Sequence, residues 1–179
     1  LRDGNHAVSH QLGIDHFTRY CKAADRAGVP IVEVGHGNGL GASSLQVGEA
    51  AISDKIILKT ARKYLKKSKL GVHVIPGFAT IERDLKPAMD LGVDVFRIAS
   101  HCSEADLTKS HIIFCSTQGK TVFGVLMMSH MEDKEILSEE ARKMQDYGAE
   151  GIILMDSSGN YLPDDVKEKV SYLANDLDI

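Results

Sequence analysis

The sequence predicts an α/β fold of the (β/α)8 TIM-barrel class, incomplete over this chain, on three observations. Helix-like stretches repeatedly end near a glycine, as in "DRAGVPIVEV" and "MDLGVDVFRI", and each gives way to a β-rich run. Those runs are continuous in Val, Ile and Leu rather than alternating, the pattern of parallel strands buried on both faces. No G-x-G-x-x-G fingerprint opens the first turn, and "GHGNGLG" follows a later strand with different spacing. A barrel is therefore favoured over a doubly wound nucleotide-binding sheet.

Taken in order, the "LRD" stub reads as the end of a first strand. A helix is expected near 13–27 and a strand near 30–35. The next helix, near 53–67, has Ser53 or Asp54 as N-cap and Ile56, Ile57, Thr60, Ala61, Tyr64 and Leu65 along one face. A strand near 70–75 follows the glycine of "KSKLGVHVIPG". Pro87 is compatible with a helix near 84–91 because it falls in the first turn, where its missing N–H costs nothing. A strand near 93–99 leads to a helix near 103–117, opened by Ser103 and Asp106 in capping-box spacing. Strands near 120–127 and 150–156 and helices near 133–147 and 163–175 complete the series. With the stub this makes about six β-α units, the last two strands of a closed barrel being absent.

Composition narrows the function classes. The net charge of −4, with both signs interspersed, carries no nucleic-acid footprint. The one basic stretch, "RKYLKKSK" at 62–69, sits at a helix end, where cations complement the dipole. Cys21, Cys102 and Cys115 are odd in number and lack metal spacing, which points to a reducing, cytoplasmic setting. No apolar run approaches membrane-spanning length.

Polar residues gather at the carboxyl ends of the expected strands, where a barrel keeps its chemistry. They are Arg2 and Asp3, His36 with its glycine-rich loop, Ser100 and His101, Ser129 and His130, and Asp156, Ser157 and Ser158. Glu33, inside the apolar "PIVEVGH", is expected to point inward and to need a partner, for which Arg2 is the natural choice. His73 reads as a core histidine. Asp3 is a hard ligand suited to Mg2+ or Mn2+, His6 a general base near neutral pH, and Arg2 a group to stabilise a developing enolate. Gly4 is expected to let the chain turn tightly between them.

The segments "LRDGNHAVSHQ", "VEVGHGNGLGASS", "HVIPGFAT", "FRIASHCSEAD", "GVLMMSHM" and "MDSSG", in this order, closely resemble the 4-hydroxy-2-oxovalerate aldolases. These are class II pyruvate aldolases of the DRE-TIM metallolyase superfamily, whose naming Asp, Arg and Glu correspond to Asp3, Arg2 and Glu33. The resemblance implies that residues 1–179 are a partial TIM-barrel aldolase domain cleaving 4-hydroxy-2-oxopentanoate to pyruvate and acetaldehyde. It implies a divalent metal, Mn2+ first with Mg2+ or Co2+ as alternatives, ligated by Asp3. Arg2 would hold the keto acid and its enolate, His6 would deprotonate the 4-hydroxyl, and Ser157 would contact the substrate carboxylate. It also implies an oligomer and an acylating acetaldehyde dehydrogenase partner that receives the aldehyde through a tunnel.

The family's H-x-H metal motif on the seventh strand has no counterpart before Ile179, so the 179 residues alone are expected not to catalyse cleavage. Two other readings compete. One is an acyl-CoA-dependent synthase or lyase of the same superfamily, and the other is a non-catalytic barrel subunit. The intact set of Arg2, Asp3, His6 and Glu33 speaks against the second.

Overall fold

A computed structural model describes residues Leu1–Ile179. Its strands are β1 (Ile31–Glu33), β2 (Lys69–Val74), β3 (Val95–His101), β4 (Thr121–Met127) and β5 (Gly151–Leu154). Its helices are α1 (Ile14–Arg26), α2 (Asp54–Tyr64), α3 (Lys86–Asp90), α4 (Lys109–Thr117), α5 (Lys134–Asp146) and α6 (Pro163–Asp176). The strands form a parallel sheet in the order β1-β2-β3-β4-β5, and a helix follows each one. That is the β-α alternation expected of an incomplete (β/α)8 fold. No helix is long and apolar enough to cross a membrane. The chain divides into two compact units, Leu1–Phe96 and Arg97–Ile179.

In the first unit, α1 turns Phe17, Cys21 and Ala24 inward at helical spacing, and α2 offers Ile57, Leu58 and Ala61 from its own buried face. β2 is buried along Leu70–Val74, as a two-faced parallel strand should be, and registers against β1 as Val32 to Leu70 and Glu33 to Gly71. Each fully buried Leu- or Ile-sized side chain here contributes roughly 1.5–3 kcal/mol. Gly28, after α1, has φ 74°, the left-handed conformation that ends a helix. Gly71 does not behave in this way. It lies inside β2, and α2 ends earlier, at Tyr64. The Asp25 carboxylate takes the capping role instead, its Oδ1 accepting from the amides of Lys66 (2.9 Å), Lys67 (2.7 Å) and Ser68 (2.9 Å). Those amides hold its pKa below the usual carboxylate range.

Three other expectations are corrected in this unit. The "LRD" stub is not a strand: Asp3–Val8 form a 3-10 helix, and Arg2 N–H reaches the Glu33 carbonyl at 3.4 Å without extending into a ladder. There are accordingly five strands rather than six β-α units. Gly4 lies within that helix and has no left-handed φ, so it is not required for the turn. Ser53 occupies the N-cap of α2, but its side chain makes no capping bond. Pro87 is accommodated as expected, in the first turn of α3, behind a π-type turn over Ile81–Leu85 that Thr80 caps.

In the second unit, β4 pairs with β5 from Phe123–Gly151 to Leu126–Leu154. Gly124 keeps its place bare because a β-carbon there would meet Met144 Sδ of α5 at 2.5 Å. Asp133 caps α5 by accepting from Ile136 N–H at 3.0 Å. The expected capping box at Ser103 does not form. A 3-10 turn, Ala105–Thr108, precedes α4, and Ser103 Oγ instead lies 2.9 Å from His101 Nδ1. Ala105 N–H is satisfied from a distance in sequence, by buried Glu140 Oε2 at 2.7 Å, and Glu140 is also paired with Lys143 Nζ at 2.7 Å. α5 and α6 are tied by Lys134 to Glu168 and by Asp176 to Ser138 and Arg142.

Candidate functional site

The first unit assembles its polar residues around the loop that follows β1. Arg2 is 8% exposed. Its Nε donates to Glu33 Oε1 at 2.7 Å, and its Nη1 donates to the Gly37 carbonyl at 2.7 Å. The inward Glu33 therefore has the partner the sequence called for, and two acceptors in different directions fix the guanidinium plane. Asn5, buried in the 3-10 helix, donates to the Gly35 carbonyl at 3.1 Å and ties that helix to the loop.

Asp3 and His6 lie on the outer side of the same helix. The Asp3 carboxylate is 3.6 Å from Arg2 Nη1, and its side chain is 86% exposed. The His6 ring packs on Gly37, where a β-carbon would fall 2.5 Å from Nε2. The structure thus brings Arg2, Asp3, His6 and Glu33 together.

Two further histidines stand behind His6. His10 presents its ring at 5.1 Å and 68° to the His6 ring, edge to face. It stacks on His36 at 3.6 Å and 24°. His36 is fully buried; the Asn38 N–H donates into its Nδ1 at 3.1 Å, and its Nε2 lies 2.9 Å from the Gly48 carbonyl. An acceptor on one side and a donor on the other define the neutral Nε2–H tautomer. Burial lowers the His36 pKa, and the Gly48 carbonyl only partly opposes it. His10 Nδ1 accepts from Gly37 N–H at 3.3 Å. Burial, and then the neighbouring His36 and His6, lower its pKa too.

His36 was visible in the sequence as a strand-end histidine. His10 was not, because "AVSHQ" carries no periodic or metal-type spacing. Ser9 and His10 both adopt left-handed backbone, φ 49° and 62°, and only that bend aims the His10 ring at the site.

The remaining expected residues sit elsewhere. His73 is buried in β2 at 2% exposure, the core histidine anticipated. In the second unit, Ser157 Oγ accepts from Met128 N–H at 3.0 Å and is exposed, while Met128 itself is left-handed at φ 57°. His130 lies 3.0 Å from Ser158 Oγ through Nε2 and 3.5 Å from Asp156 Oδ1 through Nδ1. The amides of Tyr161 and Asn160 lower the Asp156 pKa, with His130 adding to the effect.

No group of three or more His, Cys, Asp or Glu side chains is spaced to hold a metal ion. One exposed carboxylate is too few ligands for a catalytic divalent ion, so these residues do not form such a site by themselves. A cavity of about 470 Å³ in the first unit lies apart from all the expected residues, lined by Leu40, Asp54, Leu58, Arg83, Asp84 and Leu91 among others. Burial raises the Asp54 pKa there.

Comparison with known proteins bears on the family and the fold. The family profile described as HMGL-like matches residues 1–178. A 4-hydroxy-2-oxovalerate aldolase of Spirochaeta aurantia is 65% identical over the whole chain, which covers 52% of that protein. The one from Pectobacterium atrosepticum is 59% identical with the same coverage. The chain thus spans about half the length of the curated relatives it matches. Among solved structures, the HMG-CoA lyase of Bacillus subtilis superimposes with TM-score 0.73 at 13% identity, over 98% of this chain and 62% of that one. The carboxyl transferase domain of Rhizobium etli pyruvate carboxylase gives 0.77 at 13% identity, over 98% of this chain and 32% of that one. At such identities these two matches establish the fold alone.

Proposed function

The chain belongs to the HMGL-like family, and from that premise we propose that it serves the aldol cleavage of 4-hydroxy-2-oxopentanoate to pyruvate and acetaldehyde, residues 1–179 forming part of the catalytic domain. The observation that carries the reading is the buried Arg2, locked by Glu33 and the Gly37 carbonyl, with the His6 imidazole seated on the same Gly37. The names of the two similar relatives support the aldolase over the acyl-CoA alternative.

His6 takes the proton of the substrate 4-hydroxyl. The C3–C4 bond then breaks, C4 becomes the acetaldehyde carbonyl, and the bonding pair moves onto C3 and the C2 oxygen as the pyruvate enolate. Arg2 is preorganised to hold that oxygen, because Glu33 and Gly37 prevent it from rotating away as charge develops. Protonation at C3 yields pyruvate. Ser157, its oxygen already accepting from Met128 N–H, keeps its own hydroxyl hydrogen for the substrate carboxylate.

The divalent ion of this reading, Mn2+ by resemblance, polarises the keto group when bound, with Asp3 as its one ligand from this chain. An acylating dehydrogenase partner, an oligomer and a cytoplasmic setting belong to the same reading. The test is pyruvate release from 4-hydroxy-2-oxopentanoate by the complete polypeptide, with Mn2+ and after chelation. Release that survives His6→Ala undiminished would remove His6 from the proton-transfer role, and no release from the unaltered protein with Mn2+ would defeat the reading.

A further inference from the structure

We propose that Gly37 and His10 are positioning residues that set the His6 imidazole relative to Arg2. The inference rests on the aldolase reading and extends it to residues that do not touch substrate. Gly37 is the common support: its carbonyl accepts Arg2 Nη1 at 2.7 Å, and its N–H donates to His10 Nδ1 at 3.3 Å. Over its α-carbon lies the His6 ring, with Nε2, Cδ2 and Cε1 all within 2.5–2.6 Å of where a β-carbon would be. The φ of Gly37 is not left-handed, so the backbone itself does not demand glycine there. The His6 ring occupies the space a side chain would take.

His10 closes the other side of that seat, edge to face at 5.1 Å. It has little freedom to move. It stacks on His36, whose two ring nitrogens are both engaged by backbone, and a β-carbon on Gly48 would meet its Cδ2 at 2.7 Å. Its own carbonyl accepts from Ala51 N–H at 3.0 Å. One residue therefore orients the cation that stabilises the developing enolate and, through His10, the base that starts the transfer. His6 sits on an exposed 3-10 helix. Without such a seat its ring would sample rotamers, and misplacement of about 1 Å at a catalytic group costs on the order of 10²-fold in rate.

The test is a double-mutant cycle in the complete polypeptide. Gly37→Ala should lower kcat for pyruvate release roughly 10²-fold with KM held within about twofold, because the Arg2 contact to the carbonyl survives. It should also lower the Tm. In a His6→Ala background the same substitution should change neither Tm nor the residual rate, since the ring it displaces is gone. His10→Ala, which leaves the Gly37 position open, should lower kcat by about tenfold, and only while His6 is present. A wild-type kcat in Gly37→Ala, or an equal Tm loss with and without His6, overturns the proposal. If the unaltered protein releases no pyruvate, the aldolase reading falls. The Tm cycle then decides by itself, a non-additive result upholding the seat and an additive one removing it.

Discussion

Around the loop after β1 the first unit buries four polar side chains in one paired cluster, whereas at the end of β5 in the second unit Asp156, Ser157 and Ser158 are half-buried or exposed. Arg2, Asn5, His10 and His36 are all buried, and each has a named partner in the loop after β1. Ser157 and Ser158 are exposed, and His130 and Asp156 are half-buried. Burial makes pairing obligatory: a charge taken out of water must find its counter-charge or the fold loses several kcal/mol. The first cluster is therefore fixed before any ligand arrives, while the second can adjust around one.

The comparison is broken most severely at Arg2. Arg2→Ala breaks the ion pair with partly buried Glu33, and unfolding should become easier by about 3–5 kcal/mol. Pyruvate release should fall by roughly 10²–10³-fold. Urea denaturation and steady-state assay check the two together, and loss of activity with full stability would mean the Arg2–Glu33 pair is not buried as described.

The second unit has one buried charge of its own, and it sharpens the contrast. Glu140→Ala removes the acceptor of Ala105 N–H and the partner of Lys143. It should cost about 1–3 kcal/mol by denaturation while leaving kcat within about twofold. Ser157→Ala should do the reverse. It should leave stability within about 0.5 kcal/mol and raise KM roughly tenfold, as read from initial rates over a substrate series.

The smallest expected effect is a pH dependence that begins with two histidines of the first unit. His10 and His36 have pKa values lowered from 6.5, so the unfolded chain binds protons that the folded chain excludes. Their contribution to stability is complete above about pH 6.5 and is lost as pH falls through the lowered folded values. Asp25 and Asp156, also lowered, act in the same direction, but only below about pH 4. Denaturation midpoints at descending pH should therefore drop first in the histidine window. His36→Phe should flatten that drop, and an unchanged slope in the variant would place the titration elsewhere.

Much of this was legible in the residues themselves, for identifiable reasons. Glycines after α1, α3, α4 and α5 mark helix ends because left-handed backbone at Gly28, Gly92, Gly119 and Gly148 favours a residue without a β-carbon. Glu33 announced a partner because a lone carboxylate in an apolar strand is untenable, and Arg2 proved to be that partner. Gly71 misled because the same residue type also serves where a neighbour presses close, here Ile31 Cγ2 at 3.1 Å from its notional β-carbon. Ser103 misled because capping-box spacing is local, and His101 competed for its hydroxyl.

By itself, then, the sequence determined the β-α alternation, the parallel strands and the set of side chains available for chemistry. Those follow from periodicity, backbone preference and the cost of burying charge, all of which act over a few residues. Only the tertiary structure decided that Asp25 caps a turn some forty residues away and that Glu140 satisfies Ala105. It alone decided that His10 and Gly37 form a seat for His6. These depend on where a left-handed bend and a missing β-carbon let distant rings and backbone approach, which no local pattern encodes.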